Sequence, residues 1–164
     1  MSTGRSRDPL ADPGALLKRV YAYVASRVGA GPDADDITSA TFERAVRYRA
    51  RFDARKGDPA AWMVGIARRV IADHVSNADG SAASEPTQDA TPDHAETAHM
   101  RIDLERALAT LPDRDRDLIA MRYRADLSSR QIGKLLGIST GAVDVALHRA
   151  IGRLRRALEG KPET

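Results

Sequence analysis

Apolar residues recur at helical spacing along most of the chain, and the clearest pattern lies near its C-terminal end. One face of a helix is marked there by Val143, Leu147, Ile151, Leu154 and Leu158. Their steps of four, four, three and four match the 3.6-residue period of an α-helix. A shorter pattern over 129–136 precedes this run. Gly137 suits the left-handed position after a helix end and Ser139 suits an N-cap, so the sequence predicts two helices joined by a very short turn.

Two helices joined by a three-to-four-residue turn containing glycine form a helix-turn-helix, whose second helix enters the major groove of DNA. The same pattern also occurs in helix pairs that only pack together, so the pattern alone leaves both interpretations open. Arginines in the second half of the long helix favour DNA, because they can contact phosphates. They are Arg149, Arg153, Arg155 and Arg156.

Three further helices are predicted before residue 76, over about 14–28, 33–51 and 59–75. Asp33 is expected to cap the second helix, and Pro59 suits the first position of the third. The expected apolar positions are Leu17, Val20, Val24 and Val28, then Ile37, Thr41, Phe42, Ala45 and Val46, then Trp62, Ile66 and Val70 beside Met63, Ala67 and Ile71. Three helices of this length can form one small bundle.

A second group of helices begins near residue 101. Its first helix carries Ile102, Leu104, Leu108 and Leu111 on one side. Pro112 ends that helix, and Asp113 is expected to cap the next one, which runs to about residue 124. The apolar residues of that helix are Leu118, Ile119 and Met121. The helix-turn-helix then completes a second small bundle.

Residues 76–100 are rich in Ala, Ser, Thr and Asp and contain no aromatic residue. Such a segment buries too little apolar surface to offset the entropy lost on ordering, which predicts a flexible linker. His94 and His99 lie in it and are interpreted as solvated side chains rather than metal ligands. The expected fold is all-α, with a disordered start (1–13), two bundles (14–75 and 101–160) and the linker between them.

Charge is distributed unevenly along the chain. Residues 1–75 and 101–164 each contain 13 Lys and Arg against 9 Asp and Glu, whereas residues 76–100 contain five acids and no base. Two basic blocks around an acidic strip predict two modules that approach a polyanion.

Several functional classes are disfavoured by the composition. The absence of cysteine excludes disulfides and thiolate metal sites within this chain. No stretch approaches ~20 apolar residues, so no membrane insertion is expected and a cytoplasmic location is the default. No glycine-rich phosphate loop, metal-ligand spacing or nucleophile arrangement is present, which argues against an enzyme and against a bound cofactor or metal.

Four segments together resemble one family. The run ADDITSATFERAVR at 34–47 is similar to region 2.2 of sigma-70 factors, and AWMVGIARRVIADH at 61–74 is similar to regions 2.3 and 2.4. The run LATLPDRDR at 108–116 and residues 127–150 resemble region 4. Their order and spacing resemble the small, two-domain, extracytoplasmic-function (ECF) type of sigma factor. The resemblance covers nearly all of residues 14–158 except the linker.

The resemblance implies a transcription initiation factor that directs core RNA polymerase to promoters. Core binding would involve Asp35, Asp36, Ser39, Phe42 and Arg47. Contact with the −10 element would involve Lys56, Trp62, Arg68, Arg69 and His74. Contact with the −35 element would involve Ser129, Arg130, Ser139, Thr140, Asp144, Val145, His148, Arg149 and Arg153. The implied partners are the beta-prime clamp and beta flap of the polymerase, promoter DNA and an anti-sigma factor. From the residues alone, Phe42 is equally interpretable as a core side chain, and the helical register of Trp62 favours a core role over base stacking.

The chain departs from the family pattern at three places. Asp144, Val145 and Ala146 stand where the recognition helix often has basic residues, Ser39 to Thr41 replace a usual Gln and acid, and Val75 to Asp79 replace arginines. An aspartate in the groove repels phosphate but can accept a hydrogen bond from cytosine N4, so it either alters or weakens −35 recognition.

Two alternatives follow from these departures and from the helix-turn-helix itself. A sigma-like regulator could bind a protein partner with weakened DNA recognition. A two-component-type regulator would need a receiver domain, for which the first 75 residues are too few and too helical.

Overall fold

The computed structural model describes residues 8–77 and 95–160, and within these ranges it contains helices and turns but no strand. The helices are α1 Pro13–Val28, α2 Pro32–Tyr48, α3 Pro59–Asn77, α4 Ala95–Ala109, α5 Asp113–Ile119, α6 Ser129–Leu136 and α7 Thr140–Glu159. A 3₁₀ turn, Arg49–Arg51, follows α2, and a π-helical turn, Ala120–Arg124, follows α5. The expected all-α fold is confirmed.

Helices α1, α2 and α3 pack against one another as the first module. The side chain of Asp12 caps α1 by accepting a hydrogen bond from the Ala15 amide at 3.2 Å. The prediction of which α1 residues are buried was partly wrong, because the buried face is shifted by one residue at some positions. Leu16 and Tyr23 are buried, whereas Leu17 is 49% exposed. The predicted helical period was correct, but α1 contains more apolar residues than its buried face can accommodate.

The start and the exposed side of α2 differ from expectation. The helix begins at Pro32 after Gly31, whose φ is 142°, and no side chain caps it, so the prediction that Asp33 is the cap was wrong. Pro32 is suited to the first helical position because its missing N–H would have no partner there. Val46 was also expected inside the bundle but is 55% exposed, while Ala34 and Thr38 are buried.

Helices α4 to α7 form the second module. Ser128 and Gln131 form a reciprocal capping box at the start of α6, which the sequence analysis did not identify. The predicted segment from 113 to about 124 is a helix with a distorted end, because α5 stops at Ile119 and the π-helical turn follows. Leu118, Ile119 and Met121 are buried, as predicted.

Parts of two segments that were expected to be irregular are ordered by hydrogen bonds or belong to helices. Residues 8–13 are not disordered, because Asp8 accepts a hydrogen bond from the Leu10 amide and forms an ion pair with Arg49. Residues 76–77 belong to α3 and residues 95–100 to α4. Residues 1–7 and 78–94, including His94, lie outside the described residues.

The two modules lie against each other, which no sequence pattern predicted. The larger apolar core runs through both of them, joining Val20 and Val64 of the first module to Met121 and Ile132 of the second. The smaller core lies within the second module, around Leu111, Ile119 and Ala150. Polar contacts also cross the boundary, and they meet at Asp117 of α5.

Candidate nucleic-acid interface

The turn between α6 and α7 has the geometry predicted for a helix-turn-helix. Gly137 adopts a left-handed φ of 70°, and Ser139 caps α7 by accepting a hydrogen bond from the Ala142 amide at 3.1 Å. Gly133 permits the tight crossing of the two helices. A Cβ atom at that position would lie 2.7 Å from the carbonyl oxygen of Ile138. These local constraints fix the angle at which α7 leaves the turn.

The solvent-facing side of α7 carries most of the residues predicted to contact the −35 element. Val143, Leu147 and Ala150 anchor the opposite side in the core. The exposed positions of the predicted set on this helix are Thr140, Asp144, Val145, His148, Arg149 and Arg153. Arg155 and Arg156 are also exposed and extend the basic surface toward the helix end. Arg155 lies seven residues after His148 and Arg156 lies seven residues after Arg149, and this spacing is the signal that places them on the same side.

Some predicted DNA contacts have structural partners within the chain, and Arg153 and Ser139 are two of them. Arg153 donates a hydrogen bond from Nη1 to Oδ2 of Asp115 on α5 at 2.6 Å. Asp115 is buried, so this ion pair holds α7 against α5, while the Arg153 side chain itself remains 44% exposed. Ser139 is exposed, but its hydroxyl oxygen already accepts the hydrogen bond that caps α7.

Asp144 is paired with a residue of the preceding helix. The hydroxyl of Ser129 donates a hydrogen bond to Oδ1 of Asp144 at 2.5 Å. Arg130 is the next residue of α6 and is exposed. The residues of the predicted set at the start of α6 therefore adjoin the exposed side of α7.

The residues predicted to contact the −10 element are only partly brought together. Trp62, Arg68 and Arg69 line a groove of about 830 Å³ between the modules. Trp62 is half-buried, and its ring packs at a tilt against Phe52 with centroids 5.3 Å apart. His74 instead faces α2, where its Nε2 lies 3.7 Å from the carboxylate of Asp33. Lys56 is exposed on the loop before α3.

The residues predicted to bind the polymerase core follow one exposed stripe of α2. Asp35, Asp36, Ser39 and Arg47 are exposed, and Phe42 is half-buried against the core. Val46 belongs to this stripe by its helical position, seven residues after Ser39. Its 55% exposure adds an apolar contact point that sequence reasoning had assigned to the core.

The most strongly perturbed ionisable group in the described residues is Tyr23 of α1. Its side chain is buried and its hydroxyl donates a hydrogen bond to Oδ1 of Asp117 at 2.6 Å. Burial, followed by the negative charge of Asp117, raises the pKa of Tyr23 well above its ordinary range. The phenol therefore stays protonated as a hydrogen-bond donor between the modules.

Within residues 8–77 and 95–160 no cluster of metal-ligating side chains occurs. In the same part of the chain, each helix is too short or too polar to cross a lipid bilayer.

Comparison with known proteins identifies the family to which the chain belongs. The family described as "Sigma-70 region 2" matches residues 14–80, and "Sigma-70, region 4" matches residues 101–154. The ECF RNA polymerase sigma factor SigF of Caulobacter vibrioides is 33% identical over 146 residues, covering 85% of this chain and 81% of that protein. The chain belongs to the sigma-70 family. It is a member of the ECF type, and as such a promoter-directing transcription initiation factor.

Other relatives agree with the assignment. The ECF RNA polymerase sigma factor BldN of Streptomyces coelicolor is 28% identical over 151 residues, covering 85% of this chain. The chain spans only 56% of the length of that relative. The fold also matches the sigma factor RpoE of Bartonella quintana with a TM-score of 0.63 at 22% identity, covering 88% of this chain and 92% of that one.

Proposed function

We propose that α2 of this ECF sigma factor docks on core RNA polymerase. The observation that carries the proposal is the exposed stripe along α2, where acidic Asp35 and Asp36, polar Ser39 and apolar Val46 all face solvent. An apolar centre with charged residues around it is typical of a protein–protein interface. The resemblance of this segment to region 2.2 supports core RNA polymerase as the partner, with the beta-prime clamp as the proposed docking surface.

The groove beside α3 is proposed to take the −10 element as single-stranded DNA. Arg68 and Arg69 supply positive charge, and Trp62 supplies an aromatic face on which a base can stack. Trp62 already contacts Phe52 on one side, so stacking would use its groove-facing side. Lys56 extends the positive charge to the neighbouring loop.

Helix α7 is proposed to read the −35 element in the major groove. Its first turns present Thr140, Asp144 and Val145 to base edges, and Arg149, Arg155 and Arg156 lie farther along for phosphates. The second module would also contact the beta flap of the polymerase, as the resemblance to region 4 implies.

An anti-sigma protein is a further proposed partner. The structurally similar RpoE of Bartonella quintana was solved in complex with the anti-sigma factor NepR. The exposed Val75 at the rim of the inter-module groove offers an apolar contact for such a protein.

Charge reversal on α2 tests the proposed polymerase contact. Asp36→Arg replaces a negative charge with a positive one at the proposed docking surface. Because the polymerase surface opposite would complement the negative charge, the variant should be repelled, and we expect co-purification with core enzyme to fall at least about tenfold. Glu105→Arg is the matched control, since Glu105 is exposed on α4 and undergoes the same change of charge. If Asp36→Arg bound core enzyme as well as the control does, α2 would not be part of the docking surface.

A further inference from the structure

The N-terminal segment, residues 8–12, is built into the first module although it lies before the residues that match sigma-70 region 2. Pro9 is buried, and Leu10 packs against the larger apolar core. The carboxylate of Asp8 orders this turn by accepting a hydrogen bond from the Leu10 amide at 3.0 Å. The segment is therefore a fixed part of the fold that precedes α1.

The other oxygen of the same carboxylate reaches across to the end of α2. Oδ2 of Asp8 accepts a hydrogen bond from Nη2 of Arg49 at 2.5 Å, although the two residues are 41 positions apart in the sequence. Arg49 starts the 3₁₀ turn, and the Phe52 amide closes that turn by donating to the Arg49 carbonyl oxygen at 3.2 Å. The ion pair thus fixes the point from which the loop 52–58 departs.

A cavity of about 670 Å³ lies between the N-terminal segment and the loop 52–58. Asp8 and Asp12 line it on the side of the segment, and Phe52 and Gly57 line it on the side of the loop. Side chains on opposite walls of a cavity gain no packing contacts across it. The Asp8–Arg49 ion pair therefore bridges a gap that packing leaves open.

The loop 52–58 is connected to two side chains that are proposed to contact the −10 element. Phe52 packs its ring against Trp62, the proposed stacking surface for a base, with centroids 5.3 Å apart. Lys56 lies on the loop itself, where its amide donates to the Asp53 carbonyl oxygen at 3.0 Å. A shift of the 3₁₀ turn would therefore move both proposed contacts.

A direct phosphate contact is the competing role for Arg49, because its side chain is half exposed. Its guanidinium, however, donates to Asp8, and its positive charge is neutralised there. A supporting role for Arg49 fits this geometry better than a direct contact with DNA.

We infer that the N-terminal segment is a positioning element for −10 recognition, in which Asp8 holds Arg49 and thereby sets the loop 52–58 and the Phe52–Trp62 contact. Asp8 acts through Arg49, so it is a positioning residue that itself makes no contact with DNA. The inference rests on the proposed roles of Trp62 and Lys56 in binding the −10 element.

Charge reversal separates positioning from simple electrostatics. Asp8→Arg adds positive charge and would strengthen DNA binding if net charge alone decided it, whereas loss of the ion pair should weaken binding of the −10 strand. Arg49→Asp breaks the same pair from the other side, and the double variant with both changes restores the pair in reverse. Glu105→Arg is the matched control, since Glu105 is exposed on α4 and undergoes the same change of charge.

Trp62 reports the position of the loop in the absence of DNA. It is the only tryptophan in the sequence, so tryptophan fluorescence and its quenching by acrylamide report on the surroundings of this side chain. We expect stronger quenching in Asp8→Arg and in Arg49→Asp, and wild-type quenching in the double variant and in the control. Unchanged quenching in both single variants would overturn the positioning role.

Binding of DNA by assembled holoenzyme measures the effect on recognition, with core binding held constant. The probe is a labelled single-stranded oligonucleotide that carries the −10 sequence of a promoter mapped by run-off transcription with this protein. Each single variant should bind this probe about fivefold more weakly than the wild type, and the double variant should recover to within about twofold. Unchanged affinity in both single variants would overturn the inference. Weaker binding by Arg49→Asp that the double variant does not relieve would make Arg49 a direct contact, and would overturn it too.

A scrambled oligonucleotide distinguishes failure of the inference from failure of the proposed function. If wild-type holoenzyme bound the −10 and scrambled sequences equally well, the proposed −10 recognition would fail, and the role of Asp8 in it would fail as well. The quenching of Trp62 would still decide whether Asp8 positions the loop 52–58.

Discussion

The Ser129 hydroxyl, at the start of α6, donates a hydrogen bond to the carboxylate of Asp144 on the exposed side of α7 at 2.5 Å. The bond engages Oδ1 and leaves Oδ2 able to accept a second hydrogen bond. An acid in this position is therefore held in one orientation at the surface that we propose faces the major groove. This arrangement favours altered −35 preference over a simple loss of binding.

Replacing Asp144 tests that interpretation. Asp144→Ala should abolish a preference for cytosine at one −35 position, which corresponds to about 1–3 kcal/mol of discrimination. Competition among −35 duplexes that differ at single base pairs measures the change. Ser129→Ala should weaken the same preference without shifting it to another position. An unchanged base preference in Asp144→Ala would show that the carboxylate does not read bases.

Arg149 provides a phosphate-contact prediction. Arg149→Ala should weaken promoter binding for all sequences alike and reduce the slope of log affinity against log salt by about 1, because one phosphate contact is lost. Arg149 is exposed, so the midpoint of thermal unfolding should stay at the wild-type value.

Arg153→Ala serves as the contrasting variant. It should lower the thermal midpoint, because buried Asp115 loses its partner. If Arg149→Ala left both the affinity and the salt slope unaltered, α7 would not be the DNA-facing helix.

The tight turn of the helix-turn-helix makes a separate prediction about stability. Gly133→Ala places a Cβ atom 2.7 Å from the Ile138 carbonyl oxygen, and relief requires movement of the backbone. We expect a loss of about 1–3 kcal/mol in the free energy of unfolding, measured with denaturant. Gly152→Ala, where the space is open, should be neutral or slightly stabilising. Equal free energies of unfolding for Gly133→Ala and Gly152→Ala would contradict the tight crossing of α6 and α7.

The sequence predicted those features that depend on local signals. Gly137 and Ser139 mark the helix-turn-helix because their conformations are determined by neighbouring residues, and both have the predicted roles. The burial of Leu118 and Ile119 in α5 was likewise predicted, whereas the burial of Asp115 and Asp117 was not.

Features that depend on tertiary contacts were missed. Nothing in the pattern distinguishes Val46, which is exposed, from Ala45, which is buried, because both follow the helical period. The partners of Arg153 and Arg68 lie 38 and 49 residues away, and a sequence gives no sign of such pairs. Tyr23 in particular resembles an ordinary core residue until Asp117 is brought against it.

The buried phenol of Tyr23 makes a prediction about alkaline pH. Its pKa is raised in the folded chain above the ordinary value of 10.0, so the unfolded chain loses this proton first. The stabilisation is complete below about pH 10 and declines as the pH rises further. Below the onset of unfolding, Tyr23→Phe should show the same tyrosinate absorbance as the wild type. A smaller increase of tyrosinate absorbance with pH in Tyr23→Phe than in the wild type would mean that Tyr23 ionises in the folded protein.

Run-off transcription with purified core RNA polymerase tests the central claim most directly. A library of genomic fragments would be transcribed with and without the protein, and the start sites would be mapped. Our account predicts new transcripts whose upstream sequences share −10 and −35 elements, and their loss with Asp36→Arg. No new transcript, from protein that is folded and co-purifies with core enzyme, would contradict it.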